Sequence, residues 1–147
     1  MTPEQAVVQR LLELPAVVAL VASRVYQLKL PQSPTLPAIR VQLISEPTSY
    51  HLRGGSGMYR SRIQIDAYAA ERSGADPYGA AVDVADAIHG DDAGAGLSAW
   101  QGNTGSSPPS LRIHACMRVD RQVGYDAEEL REVRVRQDYL VHWSHLN

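Results

Sequence analysis

The stretch "MYRSRIQIDAYAA", Met58 to Ala70, constrains the fold more than any other part of the chain. Arg60, Arg62, Gln64 and Asp66 alternate with Ser61, Ile63, Ile65 and Ala67. Side chains that change face at every residue belong to a β-strand with one apolar and one polar side. A strand of this kind cannot stand alone, so the rest of the chain has to supply its neighbours and a cover for the apolar side.

Three further stretches show the same period. "AIRVQLIS" places Ile39, Val41 and Leu43 on one face and Arg40 and Gln42 on the other. "LRIHACMRVD" puts Leu111, Ile113, Ala115, Met117 and Val119 inward in an unbroken alternation. "EVRVRQDYLVHW" does the same with Val133, Val135, Tyr139, Val141 and Trp143.

Two segments are helical instead. Thr2, Pro3 and Gln5 form a capping-box start, followed by Val7, Val8, Leu11 and Leu12 at helical spacing. Pro15 ends that helix or opens a short second turn through Ala22. "SGADPYGAAVDVADAIHG" is the clearest helix, capped by Asp76, opened by Pro77 and closed by Gly90. Tyr78, Ala81, Val82, Ala85 and Ile88 are expected on its packed face, with Asp83 and Asp86 outward.

The order helix, strand, strand, helix, strand, strand predicts an α+β fold. It is a two-layer arrangement (α-β-β-α-β-β) with a mainly antiparallel four-stranded sheet and helices packed on one face. A length of 147 residues suits one domain, residues 1–147. "KLPQSPTLP" reads as an extended connector, "EPTSYHLRGGSG" as a loop or hairpin tip, and Gly90 to Ser110 as a mobile or functional loop.

Composition narrows the chemistry. The net charge of −2 lacks the basic excess of a general nucleic-acid binder. Cys116, the only cysteine, rules out an internal disulfide and fits a reducing compartment. The N-terminal residues lack a secretory pattern, and the longest apolar run, "LPAVVALVA", is too short to span a bilayer, so a soluble protein without membrane contact is expected.

The polar sheet face lacks the stacked aromatics of an RNA-binding sheet: only Tyr68 falls on it. Intermixed Arg and Asp suit cross-strand charge pairing, within the subunit or between subunits. His114 and Cys116, two apart on a strand, would share a side, yet no third residue orients them, and a packed cysteine is the better reading. His142 and His145, three apart on a strand, point to opposite faces and cannot share a metal. Asp91 and Asp92 resemble a hydrated turn after a helix rather than a carboxylate pair. "RGGSG" precedes a strand and is no phosphate loop. The sequence calls for no catalytic residue, no cofactor and no metal.

Taken in order, "ALVASRVYQLKLPQSPTLPAIRVQLIS", "YRSRIQIDAYA", the small-residue helix and "VRVRQDYLVHW" resemble the tail completion family of long-tailed bacteriophages. That family includes tail terminators and tail-to-head joining proteins, and the resemblance runs from Ala6 to Trp143. It implies a non-enzymatic virion protein, made in the host cytoplasm, that forms a homohexameric ring on the head-proximal end of the tail tube. Such a ring stops tube growth and docks the tail to the head connector or stopper protein. Its implied partners are further copies of itself, the tail tube protein, that connector, and double-stranded DNA that passes without being read. Other readings are a head-side stopper or minor tail protein and, from different classes, a small enzyme or a nucleic-acid-binding module. The expected subunit or partner interface comprises Tyr50, His51, Leu52 and Arg53 on the hairpin tip, with Arg60, Arg62, Arg134 and Arg136 on the sheet.

Overall fold

The structure is a computed structural model that describes residues 1–71, 76–105, 109–127 and 132–146. Its elements are α1 (Pro3–Glu13), α2 (Pro15–Val21), β1 (Val25–Gln27), β2 (Ala38–Ser45), β3 (Tyr50–His51), β4 (Gly54–Gly55), β5 (Met58–Ala70), α3 (Pro77–His89), β6 (Gly102–Thr104), β7 (Leu111–Ala127) and β8 (Glu132–His145).

Six strands pair in the order β1-β2-β5-β8-β7-β6, and β3 with β4 makes a separate two-stranded ribbon. β1 runs parallel to β2 and the other pairs are antiparallel, so the sheet is mixed. It curls into a half-barrel accompanied by three helices among the described residues. The expected four-stranded, mainly antiparallel sheet with helices packed on one face is therefore wrong. The cause lies in the two edges. β1 is "VYQ" and β6 is "GNT", each too short to display a period, and β6 has no apolar residue to betray it.

The local predictions for the helices hold where capping sets them. Thr2 Oγ1 accepts from the Gln5 amide at 3.3 Å, and Gln5 Oε1 accepts from the Thr2 amide at 2.9 Å. Asp76 Oδ1 accepts from the Tyr78 amide at 3.0 Å, and Gly90 ends α3 at φ +77°. The packed face of α3 differs in part: Ala81, Val84, Ala85 and Ile88 are buried, while Tyr78 is exposed and Val82 half-buried. Ser73 to Ala75, read with this helix, lie outside the described residues. α3 packs on β5 and β8, where buried Gln137 donates to the Ala85 carbonyl at 3.1 Å. α1 packs against β1 and β2, and α2 against α1 and α3. Val7, Leu11, Val17, Ile39, Ile63, Ile65, Val135 and Tyr139 form the centre of the core, all inaccessible to solvent.

The segment from Gly90 to Ser110 is packed, not a free loop, in its described part; Ser106 to Pro108 lie outside it. Leu97 and Trp100 are buried, and Gly96 passes so close to Gly90 that a Cβ on Gly96 would lie 2.5 Å from the His89 carbonyl oxygen. The Ala99 amide donates to the Cys116 carbonyl at 3.0 Å, which ties this segment to the edge of β7.

Candidate functional site

β5 and β8 pair through thirteen consecutive positions without a slip, from Met58 with Ser144 to Ala70 with Glu132. Directly opposed residues share a face, so the rows on the side away from α3 can be read off the register. They run Arg60–His142, Arg62–Leu140, Gln64–Asp138, Asp66–Arg136 and Tyr68–Arg134. β2 extends them with Arg40 beside Asp66 and Gln42 beside Gln64.

This face is less wet than alternation suggests. Asp66 is wholly buried, Asp138 is 2% exposed, and Gln64 and Tyr68 are buried as well. Curling of the sheet crowds its centre, and the long arginine side chains cover the shorter carboxylates. Arg40 forms an ion pair with Asp66, its Nε donating at 3.0 Å, and lies 5.8 Å from the Tyr68 ring centroid. Gln64 Nε2 donates to both Asp66 oxygens, at 3.1 and 2.9 Å. Arg62 grips Asp138 Oδ2 through Nε at 3.1 Å and Nη2 at 2.7 Å, and Arg136 Nε lies 3.5 Å from Oδ1 of the same carboxylate. Cross-strand charge pairing within the subunit is thus observed at the centre of the face.

The expected interface residues separate into two groups. Arg62, Arg134 and Arg136 border this buried centre, and Arg60, at the far end of β5, is exposed. Tyr50, His51, Leu52 and Arg53 stand apart on the β3–β4 ribbon. Tyr50 is 76% exposed and Leu52 fully exposed, and Gly54 turns the ribbon at φ +124°. The Arg53 amide donates to His51 Nδ1 at 3.1 Å, which stiffens the tip.

The candidate chemistry is taken apart by the fold. β7 carries bulges between Ile113 and Ala115, between Arg118 and Asp120, and between Tyr125 and Ala127, so its alternation slips. Ile113 faces Trp143 and Cys116 faces Val141, both on the core side, whereas His114 hydrogen-bonds Ser144 Oγ at 2.9 Å on the opposite side. His114 and Cys116 therefore do not meet. Burial pushes the Cys116 thiol up to about 12, far from a thiolate. The same slip exposes Met117 and Val119, which unbroken alternation would place inward, and turns Arg118 to the core side opposite Tyr139.

Asp91 and Asp92 serve separate tasks. The amides of Ala93 and Ala95 hold Asp91 below the usual carboxylate range. The Ser98 hydroxyl, and then His89, does the same for Asp92. Both are anions that anchor a turn, and neither is a proton donor near neutral pH. His89 bridges Asp92, 2.8 Å from its Nε2, and the Tyr139 hydroxyl, 2.9 Å from its Nδ1. Buried Gln137 and this His89–Tyr139 contact escaped sequence reading, because a polar residue at an inward position looks like noise until the helix above it is known. His142 lies on the arginine face and His145 packs edge-on against Trp143 with ring centroids 5.0 Å apart, so the two point to opposite sides.

The profile of the family described as Tail completion protein gp17 matches residues 5–141. A chain from the structure titled "Virion of native gene transfer agent (GTA) particle" shares the fold at a TM-score of 0.59 and 16% identity, over 97% of this chain and 94% of that one. No curated protein shows a significant match to the chain.

Proposed function

The chain belongs to the tail completion protein gp17 family, and from that premise we propose that it caps a phage or phage-like tail as a ring at the head-proximal end. In this reading six copies close into a ring that stops growth of the tail tube and docks the tail to the head-side connector. DNA passes through it without being read, and the chain performs no catalysis. The fold shared with a chain of a gene transfer agent virion agrees with a structural part of a particle.

The observation that carries the reading is the β3–β4 ribbon. Tyr50 and Leu52 are held out in solvent on a short, hydrogen-bonded support, where an isolated monomer gains nothing from them. Aromatic, aliphatic and arginine side chains on a stiff projection are what a neighbouring subunit or an axial partner can bury. Replacing Tyr50, Leu52 and Arg53 together with Ser tests this. The variant should fold with an unchanged circular dichroism spectrum, and particles built with it should have tails of irregular length or tails without heads. Uniform, joined tails from that variant would remove the ribbon from the mechanism.

A further inference from the structure

The two broad surfaces of the subunit carry opposite charge. On the side of the sheet away from α3, Arg60, Arg62, Arg112 and Arg136 reach solvent, while Asp66 and Asp138 at its centre are buried and Asp120 and Glu132 on the same face are half-buried. Arg60 and Arg112 have no ion-pair partner among the described residues. They flank β8 at its His142 and Ser144 positions. On the other side, the outward face of α3 and the turn after it present Asp76, Asp83, Asp86, Asp91 and Asp92, all exposed, and α3 itself carries no Arg or Lys. Arg121, 3.2 Å from Asp86, and His89, 2.8 Å from Asp92, offset only part of that charge.

We propose that the acidic outward face of α3 in one copy docks on the arginine face of the β5–β8–β7 sheet in a second copy, so that subunits associate front to back. This rests on the ring reading and names its contact surfaces. The occupant follows from charge complementarity. A symmetric dimer through either surface would set like charge against like and be repelled, whereas a front-to-back contact pairs opposite charges. A contact between two different patches also leaves one of each free on every pair, so it propagates until it closes. Because α3 covers one side of β5 and β8 and the arginines the other, the two patches lie on opposite sides of the same strands.

Charge reversal tests it on the whole chain. Sedimentation velocity of the wild-type protein should show self-association in low salt that fades toward about 0.5 M salt, where the screening length falls to a few ångströms. Arg60→Glu with Arg112→Glu, and separately Asp83→Lys with Asp86→Lys, should each weaken self-association by about tenfold or more, the scale of a few exposed charge pairs turned repulsive. All four positions are exposed, so thermal melts should stay close to the wild type, with only a small drop in the Asp83→Lys, Asp86→Lys chain from loss of the Arg121–Asp86 pair. Mixing the two variants should restore association, because every junction between unlike chains again pairs opposite charges, and the chain carrying all four changes should associate as the wild type does. Association unmoved by either reversal would overturn the proposal, as would a wild type that stays monomeric in low salt. A third overturning result is loss of duplex-DNA binding in Arg60→Glu with Arg112→Glu while self-association persists, which would assign the face to nucleic acid. Uniform joined tails alongside any of these would leave the ring reading standing and reject only this contact.

Discussion

β5 and β7 both border β8, yet they behave as opposites. β5 keeps one register with β8 along its full length, the only slip against it being an extra residue on β2 between Leu43 and Ser45, and it is buried on both faces through most of its length. β7 slips at three bulges, and Met117, Val119, Val123 and Tyr125 all lie exposed along it. A central strand is held by two partners, so any slip would break hydrogen bonds on both sides and invert every side chain. Beyond its short pairing with β6, β7 is held from one side among the described residues, and a bulge there disturbs a single ladder. Regularity is enforced where partners are many and relaxed where they are few.

The sharpest way to break that contrast is to hollow out β5. Ile65 is wholly buried between Val41 and Gln137 under α3. Ile65→Ala should cost about 3–4 kcal/mol, as lost transfer energy and residual cavity add. Chemical denaturation should show this as a lowered midpoint with an unchanged slope. A cost under about 1 kcal/mol would mean that the sheet collapses freely around the gap.

The next test contrasts carboxylates. Asp66→Ala strips Arg40 of its ion-pair partner and Gln64 of both acceptor oxygens in a buried setting, and should cost about 3 kcal/mol. Asp120→Ala on β7 removes contacts to the Arg121 amide and to Gln122, both near solvent, and should cost about 1 kcal/mol or less. Equal losses at the two sites would erase the distinction between a buried network and an edge.

How far the sequence shows the fold follows the same contrast. β5, α1, α3, β8 and β2 up to Leu43 are legible because caps and uninterrupted periods are local signals, and these elements obey them. β1 and β6 are not, since three residues paired at an edge need no pattern of their own. β7 is legible as a strand but misread in phase. The bulge at His114 moves Cys116 to the core side and Met117 out of it, a change determined by pairing with β8 rather than by β7 itself. The candidate interface divides likewise. Arginine spacing reveals the sheet face, but the burial of Asp66 and Asp138 depends on curl, which no short stretch encodes. The ribbon at Tyr50 to Gly55 announces itself through its glycines, although its separation from the main sheet does not.

A smaller effect is expected with pH, through the β7 thiol that is buried in the core. Burial raises the Cys116 thiol from 9.0 to about 12 in the folded protein. The stabilising contribution is complete below pH 9, where both states are protonated. Above that the unfolded thiol ionises first, so the contribution declines until pH passes about 12. Each pH unit in this window should remove up to about 1.4 kcal/mol. Burial also raises the Tyr139 hydroxyl from 10.0, which adds loss in the same direction at higher pH. The interval from pH 9 to 10 therefore isolates Cys116. Cys116→Val should flatten the stability curve there, and an unchanged curve would show that the thiol meets water after all. A thiol reagent at pH 8 should label the native protein slowly and the urea-unfolded protein fast.

The smallest effect belongs to the neighbour of that cysteine. Met117 sits one residue on, opposite Leu140 and 47% exposed, because the bulge before it turned the strand. Had alternation run unbroken from Leu111, Met117 would be a core residue and its replacement by Ser would cost several kcal/mol, on the order of a buried large-to-small change. With the slip in place, Met117→Ser removes a partly wet side chain from the edge and should change stability by about 0.5 kcal/mol or less. On a chain of this size that is a melting shift of about 1–2 °C. Cys116→Ser in the same background supplies the comparison, since it places a hydroxyl in a site built for a thiol and should destabilise by more. If Met117→Ser proved the more damaging of the two, the bulge at His114 would be absent in solution and β7 would alternate as regularly as β5.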